Sequence, residues 1–357
     1  MAKTLHLHIG HFKTGTTALQ VFLARNPRLL ERHDLEYAAP FIHNAKHSGL
    51  AFPIYHAAGV TTLMHGYKAN DTPEERWHAL FDAVRKSQRS GVIVSSEEFM
   101  RLGGIPAACD KLPRLAALAP DIRVRVIAYL RAPDAHLRSW YNQLVKMRVK
   151  VPDFNTAVRD VIEPVHTDYA LALRPWIETF GTDNVIVRPY ADSFRSGTGL
   201  YADFLSLFGV TLPDAGKLSL PDGDPNPRLD ERTLEIVRLL QNAGAAPKLV
   251  KQLQQRAMAH FEVEGIPEIA FDEVRARIGD GLRELVALPH NGVDIDAFAA
   301  QLPRPEDPER IEQARMTGFL LSEINLLRAR FNKAEPEINA RLDALEAATT
   351  HGSKDST

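Results

Sequence analysis

The chain has 357 residues, 45% of them hydrophobic and 25% charged, with a formal net charge of -2. This is the balance of a globular protein long enough for one large α/β domain or two smaller ones. It excludes the overall basic character of a nucleic-acid binder, and no apolar run reaches the roughly 18 residues that cross a membrane.

Residues 4–9 form an apolar stretch that reads as a short β-strand, and residues 18–25 carry apolar side chains at helical spacing. Between them lies the loop His8-Ile9-Gly10-His11-Phe12-Lys13-Thr14-Gly15-Thr16-Thr17. Strand, glycine-bearing loop and helix together bind phosphate, because loop N–H groups and the helix N-terminus point at one anion. The spacing of Gly10 and Gly15, with Thr17 in the hydroxyl position, is that of a nucleotide triphosphatase loop. Thr16, however, stands in the lysine position, and the lysine has moved forward to Lys13. That shift argues against ATP hydrolysis and for another phosphate-containing donor.

Helical pattern continues over 73–89, then a buried strand is expected at 92–95, running into Ser96, Glu97 and Glu98. A helix over 106–119 follows, with Cys109 expected to be a buried, inert thiol. Residues 124–130 are a strong strand candidate ending at Arg131, and Pro133 and Asp134 suit the first turn of a helix over 134–147. Arg131 therefore sits past a strand end, with Ser139 about two turns into the helix. An arginine fork and a hydroxyl suit a phosphate monoester beyond the reach of Lys13. Helix 169–180 and strand 185–187 complete the alternation.

Short apolar strands alternating with helices predict an α/β fold, a parallel sheet covered by helices on both faces. Ligands bind at the carboxyl ends of such strands, where Lys13, Glu97 and Arg131 all fall. A Pro-, Asp- and Gly-rich segment over 212–227 marks a boundary. The expected organisation is an α/β core at 1–220, a helical region at 221–348 and a disordered tail at 349–357. The helical region packs on the core or against a second subunit of a homo-oligomer.

On these residues the chain resembles the sulfotransferases that use 3′-phosphoadenosine 5′-phosphosulfate, whose fold is related to that of the P-loop proteins. In that family a Lys-Ser/Thr-Gly-Thr-Thr loop holds the 5′-phosphosulfate, and Lys13 to Thr17 match it. An arginine followed eight residues later by a serine holds the 3′-phosphate, as Arg131 and Ser139 would. Ser139-Trp140-Tyr141-Asn142-Gln143 is similar to a segment of bacterial and carbohydrate members, and weaker echoes run through Trp176 to Gly181, Asp203 and Gly209. The resemblance covers residues 4–230. It implies donor binding by Lys13, Thr14, Gly15, Thr16, Thr17, Arg131 and Ser139, with Lys13 also catalytic and no metal required. It implies a sulfate acceptor that is a small molecule or a glycan, with a sugar or glycolipid hydroxyl favoured. Two departures stand out: the late Arg-Lys-Gly segment of cytosolic members is missing, and Ala191 follows Tyr190 where relatives often carry glutamate.

A general base is still needed. His47, after the first helix and near the segment Tyr37 to Pro40, ranks slightly ahead of Glu97, with His43 third; relatives use either a histidine or a glutamate. His6, His8 and His11 raise the question of a metal, but no carboxylate completes the set and His11 lies inside the phosphate loop, so no metal site is assigned. With one cysteine, no room for a disulfide, and Met1 to Lys3 leading directly into the first strand, a cytoplasmic protein is expected. Two rival readings are a P-loop nucleotide kinase or triphosphatase, and a non-catalytic nucleotide-binding relative.

Overall fold

The computed structural model describes residues 3–63, 67, 71–221, 229, 231–260, 272–304 and 306–352. Five strands form one all-parallel sheet in the order β2-β3-β1-β4-β5: β1 Thr4–Gly10, β2 Leu35–Tyr37, β3 Gly91–Ser95, β4 Arg123–Arg131 and β5 Val185–Tyr190. Four of these match the expected strands. The edge strand β2, three residues long, has too short an apolar pattern to signal itself.

Helices fill the connections. In chain order they are α1 Thr16–Arg25, α2 Pro27–Arg32, α3 Ser48–Ala57, α4 Pro73–Lys86, α5 Glu98–Arg101, α6 Pro106–Cys109, α7 Leu112–Ala116, α8 Pro133–Lys146, α9 Phe154–Asp160, α10 Tyr169–Phe180 and α11 Gly199–Ser206. After the expected boundary come α12 Glu231–Asn242, α13 Pro247–His260, α14 Asp272–Glu284, α15 Ile295–Ala299 and α16 Pro308–Gly352. The helix expected over 106–119 is two short helices. Cys109 is half-buried there, its thiol directed at the Leu102 carbonyl.

Alternation along the strands sends side chains to both faces of the sheet. Ile93, Ile127, Tyr129 and Ile186 pack with Leu19, Phe22 and Leu23 of α1 and with Leu200, Phe204 and Leu205 of α11. His6 and His8 share that face, edge-on to Phe208 and Phe204. Leu5, Leu7, Val126 and Leu130 take the other face and are buried too; α10 covers β4 there and α5 meets β1. Burial on both faces explains why these strands read as continuous apolar runs.

The chain divides into two compact units, and the division is more interleaved than one boundary at residue 220. The first comprises residues 1–141, 154–228 and 270–305; the second comprises 142–153, 229–269 and 306–357. The first unit therefore includes α14, which packs on α10, and Gly292, whose N–H donates to Val187 O at 2.7 Å beside β5. In the second unit α12 packs against α13 and α16. Arg238 and Asn242 of α12 donate to the Val151 carbonyl, at 3.2 and 2.8 Å, fixing the 142–153 segment. Pro336 does not end α16, which runs on to Gly352, so helix replaces the first four residues of the expected tail; 353–357 lie outside the described residues. Ile324, Phe331, Ile338 and Leu345 are half or more exposed along α16, at seven-residue intervals. Among the described residues no helix is long and apolar enough to cross a membrane.

Candidate active site

The loop between β1 and α1 is shaped by backbone that ordinary residues avoid. Gly10 has φ +86, and a Cβ there would lie 3.1 Å from Glu97 Cα and 3.3 Å from Thr16 Cγ2. Gly15, the N-cap of α1, has φ +72, and its Cβ would stand 2.7 Å from Leu200 Cδ2. Glycine alone fits both the left-handed conformation and the close approach. Lys13 adopts φ +64 without that excuse; such a conformation in a non-glycine residue persists where its surroundings impose it, often at functional sites. The loop is closed by Thr14 Oγ1, which donates to His11 O at 2.6 Å, and tied to β4 by His11 N–H donating to Tyr129 O at 3.0 Å. Thr14 and Thr16 are buried and Thr17 is exposed. With glycine as N-cap, no side chain caps α1. Its first N–H groups, without intrahelical acceptors, are left for an anion.

Arg131 ends β4, the neighbour of β1, and is only 2% exposed. Its Nη2 donates to the carboxylate of Asp192, just past β5, while its buried Nε has no partner. The guanidinium carbon stands 5.8 Å from the Tyr190 ring centroid, and the Arg131 carbonyl accepts from Tyr169 Oη at 2.7 Å. Ser139 is buried on α8, on the same helical face as His136. The imidazole of His136 is held far below the usual histidine range, by burial first and then by the charges of neighbours including His11, Arg131 and Lys13. Two cations far apart in sequence thus both act on this one side chain.

The base candidates separate clearly. His47 is wholly buried; its Nε2–H donates to Ala38 O at 2.8 Å and its Nδ1 accepts from Ser95 N–H at 3.2 Å. Both ring nitrogens are committed to backbone, and burial lowers its pKa, so the ring pins the 38–47 segment to β3 and has no nitrogen available for an acceptor. This reverses the expected ranking of His47 over Glu97. His43 is exposed, in a bridge with Lys46. Glu97, the N-cap of α5, lies directly beside Gly10. Its Oε2 accepts from Gln20 Nε2 at 2.9 Å, and its Oε1 lies 3.3 Å from Lys46 Nζ. Gln20 also reaches Ser95 Oγ at 3.2 Å, which contacts His8 Nδ1 at 2.7 Å, so the carboxylate is fixed by a chain of polar groups. The next residue, Glu98, is buried with Oε2 unpartnered. Burial, and then the Glu97 charge, push its carboxyl up to about 7.

His6 and His8 do not join His11. They lie along β1, whereas His11 meets His136 and His166, ring centroids 4.3 and 5.1 Å away. Glu98 follows β3 as expected of the 96–98 segment, whereas Gln20, Lys46, Asp192, His136 and His166 were not expected at the site. None carries a local motif; their positions depend on which elements the fold brings to the strand ends. The echo at Asp203 has a packing explanation: it pairs with Arg188 and accepts from Tyr129 Oη at 2.6 Å.

Comparison with known proteins gives the following likenesses. The chain is similar in structure to a sulfotransferase from Alicyclobacillus acidocaldarius, at 17% identity and a TM-score of 0.39, covering 74% of this chain and 98% of that one. It is also similar to the sulfotransferase domain from the curacin biosynthetic pathway, at 12% identity and a TM-score of 0.33, covering 74% and 99%. In sequence it is 28% identical over 159 residues to an uncharacterized protein of Archaeoglobus fulgidus. That match spans 44% of this chain and 40% of the archaeal protein, so the chain covers about two fifths of its relative's length. No protein-family model matches the chain.

Proposed function

We propose that this protein is a sulfotransferase moving a sulfuryl group from 3′-phosphoadenosine 5′-phosphosulfate to an acceptor hydroxyl or amine, with a carbohydrate or glycolipid acceptor favoured. The observation that carries the reading is that Lys13 and the buried Arg131 stand at the carboxyl ends of the adjacent strands β1 and β4. Two cationic anchors suit a ligand with anionic groups at two ends. The chain's own groups fit it: an uncapped helix N-terminus behind two left-handed glycines, and a buried guanidinium with an unused Nε.

In this reading Lys13 and the amides of Gly15, Thr16 and Thr17 hold the 5′-phosphosulfate, with Thr14 keeping the loop closed. Arg131 and Ser139 hold the 3′-phosphate. The donor supplies an activated sulfuryl group whose sulfur–oxygen bond to phosphate breaks as a new one forms to the acceptor. Negative charge then builds on the departing phosphate oxygen, and the Lys13 ammonium stabilises it. Glu97, beside Gly10 and fixed by Gln20 and Lys46, takes the acceptor's proton. No step requires a metal, and the displaced lysine favours this reading over a triphosphatase.

Transfer from isotopically labelled donor to a panel of sugar and glycolipid acceptors tests the proposal. Lys13→Ala should nearly abolish transfer, and Arg131→Ala should raise the donor KM more than it lowers kcat. Unchanged turnover in both variants would refute the assignment.

A further inference from the structure

Three wholly buried imidazoles meet behind the phosphate loop. His11 comes from the loop, His136 from the first turns of α8, and His166 from the short turn Pro164–His166. One ring nitrogen of each lies within 4.8 Å of those of the other two. We propose that His11, His136 and His166 form a binding site for a transition-metal dication of the zinc type.

Hydrogen bonding leaves this cluster incomplete. His11 Nε2 faces the Val165 carbonyl at 2.9 Å, and a carbonyl only accepts, so Nε2 carries the proton. That leaves Nδ1 as the ring's free lone pair, buried without a hydrogen-bond partner. His136 Nε2 and His166 Nδ1 stand 3.0 Å apart, while His136 Nδ1 and His166 Nε2 are buried without partners. A buried, unpartnered His11 Nδ1 beside two imidazole nitrogens 3.0 Å apart is costly unless something completes it.

A metal ion would do so. A neutral imidazole whose second nitrogen donates to a backbone carbonyl is the usual arrangement of a metal-bound histidine, and His11 already has it. Tetrahedral zinc–nitrogen bonds of about 2.0–2.1 Å set ligand nitrogens roughly 3.3 Å apart. The His136–His166 separation is close to that, and modest ring rotation brings in His11. Three imidazoles without carboxylate or thiolate suit zinc, copper or nickel rather than magnesium or calcium, and leave a fourth position open.

The placement gives such an ion a purpose. His11 lies two residues before Lys13, and His136 lies between Arg131 and Ser139. One ion would bolt the phosphate loop to the helix that carries the second anchor. It would also add buried positive charge beside Lys13, Arg131 and Arg101, whose fields already act on these rings, so metal and anion should bind more tightly together than apart. The site is independent of the transfer reading: it requires only the three side chains.

Tag-free protein, stripped with chelator, should take up one zinc per chain by elemental analysis. With cobalt(II) as the probe it should show the visible absorption of tetrahedral nitrogen ligation. His136→Gln and His166→Gln should each weaken zinc binding by about 100-fold or more, whereas His33→Gln, at an exposed histidine, should leave it unchanged. Circular dichroism of each variant separates lost ligation from lost folding. If stripped wild-type protein, folded by the same criterion, binds neither ion stoichiometrically, the cluster is an imidazole hydrogen-bond chain only and the proposal is overturned. Stoichiometric binding that survives in both cluster variants overturns it equally.

Discussion

The guanidinium of Arg131, buried at the end of β4, is held by the carboxylate of Asp192, a residue 65% exposed just past β5. Arg195, three residues on, reaches the same Asp192 oxygen at 3.8 Å. A phosphate at Arg131 competes with this carboxylate, whose exposure to solvent screens the pair to about 1 kcal/mol. Asp192→Asn should therefore tighten binding of 3′,5′-diphosphoadenosine by up to about fivefold, read by titration calorimetry at fixed salt. Unchanged or weaker affinity would show that Asp192 is not a competitor.

Glu97 and His47 should fail in different ways. Glu97→Gln keeps the shape beside Gly10 and removes the proton acceptor. It should lower kcat by about 10²–10⁴-fold with little effect on donor affinity. His47→Ala should remove two backbone hydrogen bonds inside the fold and cost about 2–4 kcal/mol of stability, seen in denaturant unfolding. Any surviving folded His47→Ala protein should retain most of its turnover; a Glu97→Gln enzyme at full speed would remove Glu97 from the mechanism.

The shape of the loop after β1 was legible because that loop is local. Gly10, Lys13 and Gly15 lie in one ten-residue segment, and the strand, loop and helix expected around them are what the fold has there. The strands were legible because both faces are buried. His47 was misjudged because a histidine near a strand end reads the same whether its nitrogens face solvent or backbone. Asp192, Gln20 and His166 gave no signal, since each meets the site through a contact of long sequence separation: Asp192 lies 61 positions from Arg131, Gln20 lies 77 from Glu97, and His166 lies 30 from His136.

Acid should weaken the fold through histidines buried neutral. Burial lowers His8 to about 4, against a smaller opposing effect of Glu97, and lowers His6 to about 3, aided by Arg125 and Arg123. An unfolded histidine titrates near 6.5. Below that pH the unfolded chain binds protons that the folded chain refuses. The stabilising contribution is thus complete above about pH 6.5 and is lost as pH falls toward 4 and below, on the order of 3 kcal/mol for His8. Unfolding midpoints between pH 8 and 4 should show this slope, and His6→Leu should flatten it; a pH-independent midpoint would contradict the burial argument.

Glu98 should act in the opposite sense. Its carboxyl is pushed up to about 7, by burial first and then by Glu97, so the folded state holds a proton that the unfolded state has released. Its contribution is complete below about pH 4.5 and is lost as pH rises through 7. Glu98→Gln should be more stable than the parent at pH 8, by no more than about 3 kcal/mol, and nearly equal to it at pH 5. Equal destabilisation at both values would mean that Glu98 acts by packing alone.

The central claim is that Lys13 and Arg131 grip two ends of one doubly phosphorylated adenosine. Calorimetric titration of 3′,5′-diphosphoadenosine into the parent protein, Lys13→Ala and Arg131→Ala, each with and without magnesium and beside ATP, tests it most directly. The account predicts magnesium-independent binding tighter than that of ATP, weakened at least about tenfold by either substitution, a loss of about 1.4 kcal/mol or more. Binding of ATP with magnesium in preference to the bisphosphate, or affinity for the bisphosphate that both variants retain, would contradict it.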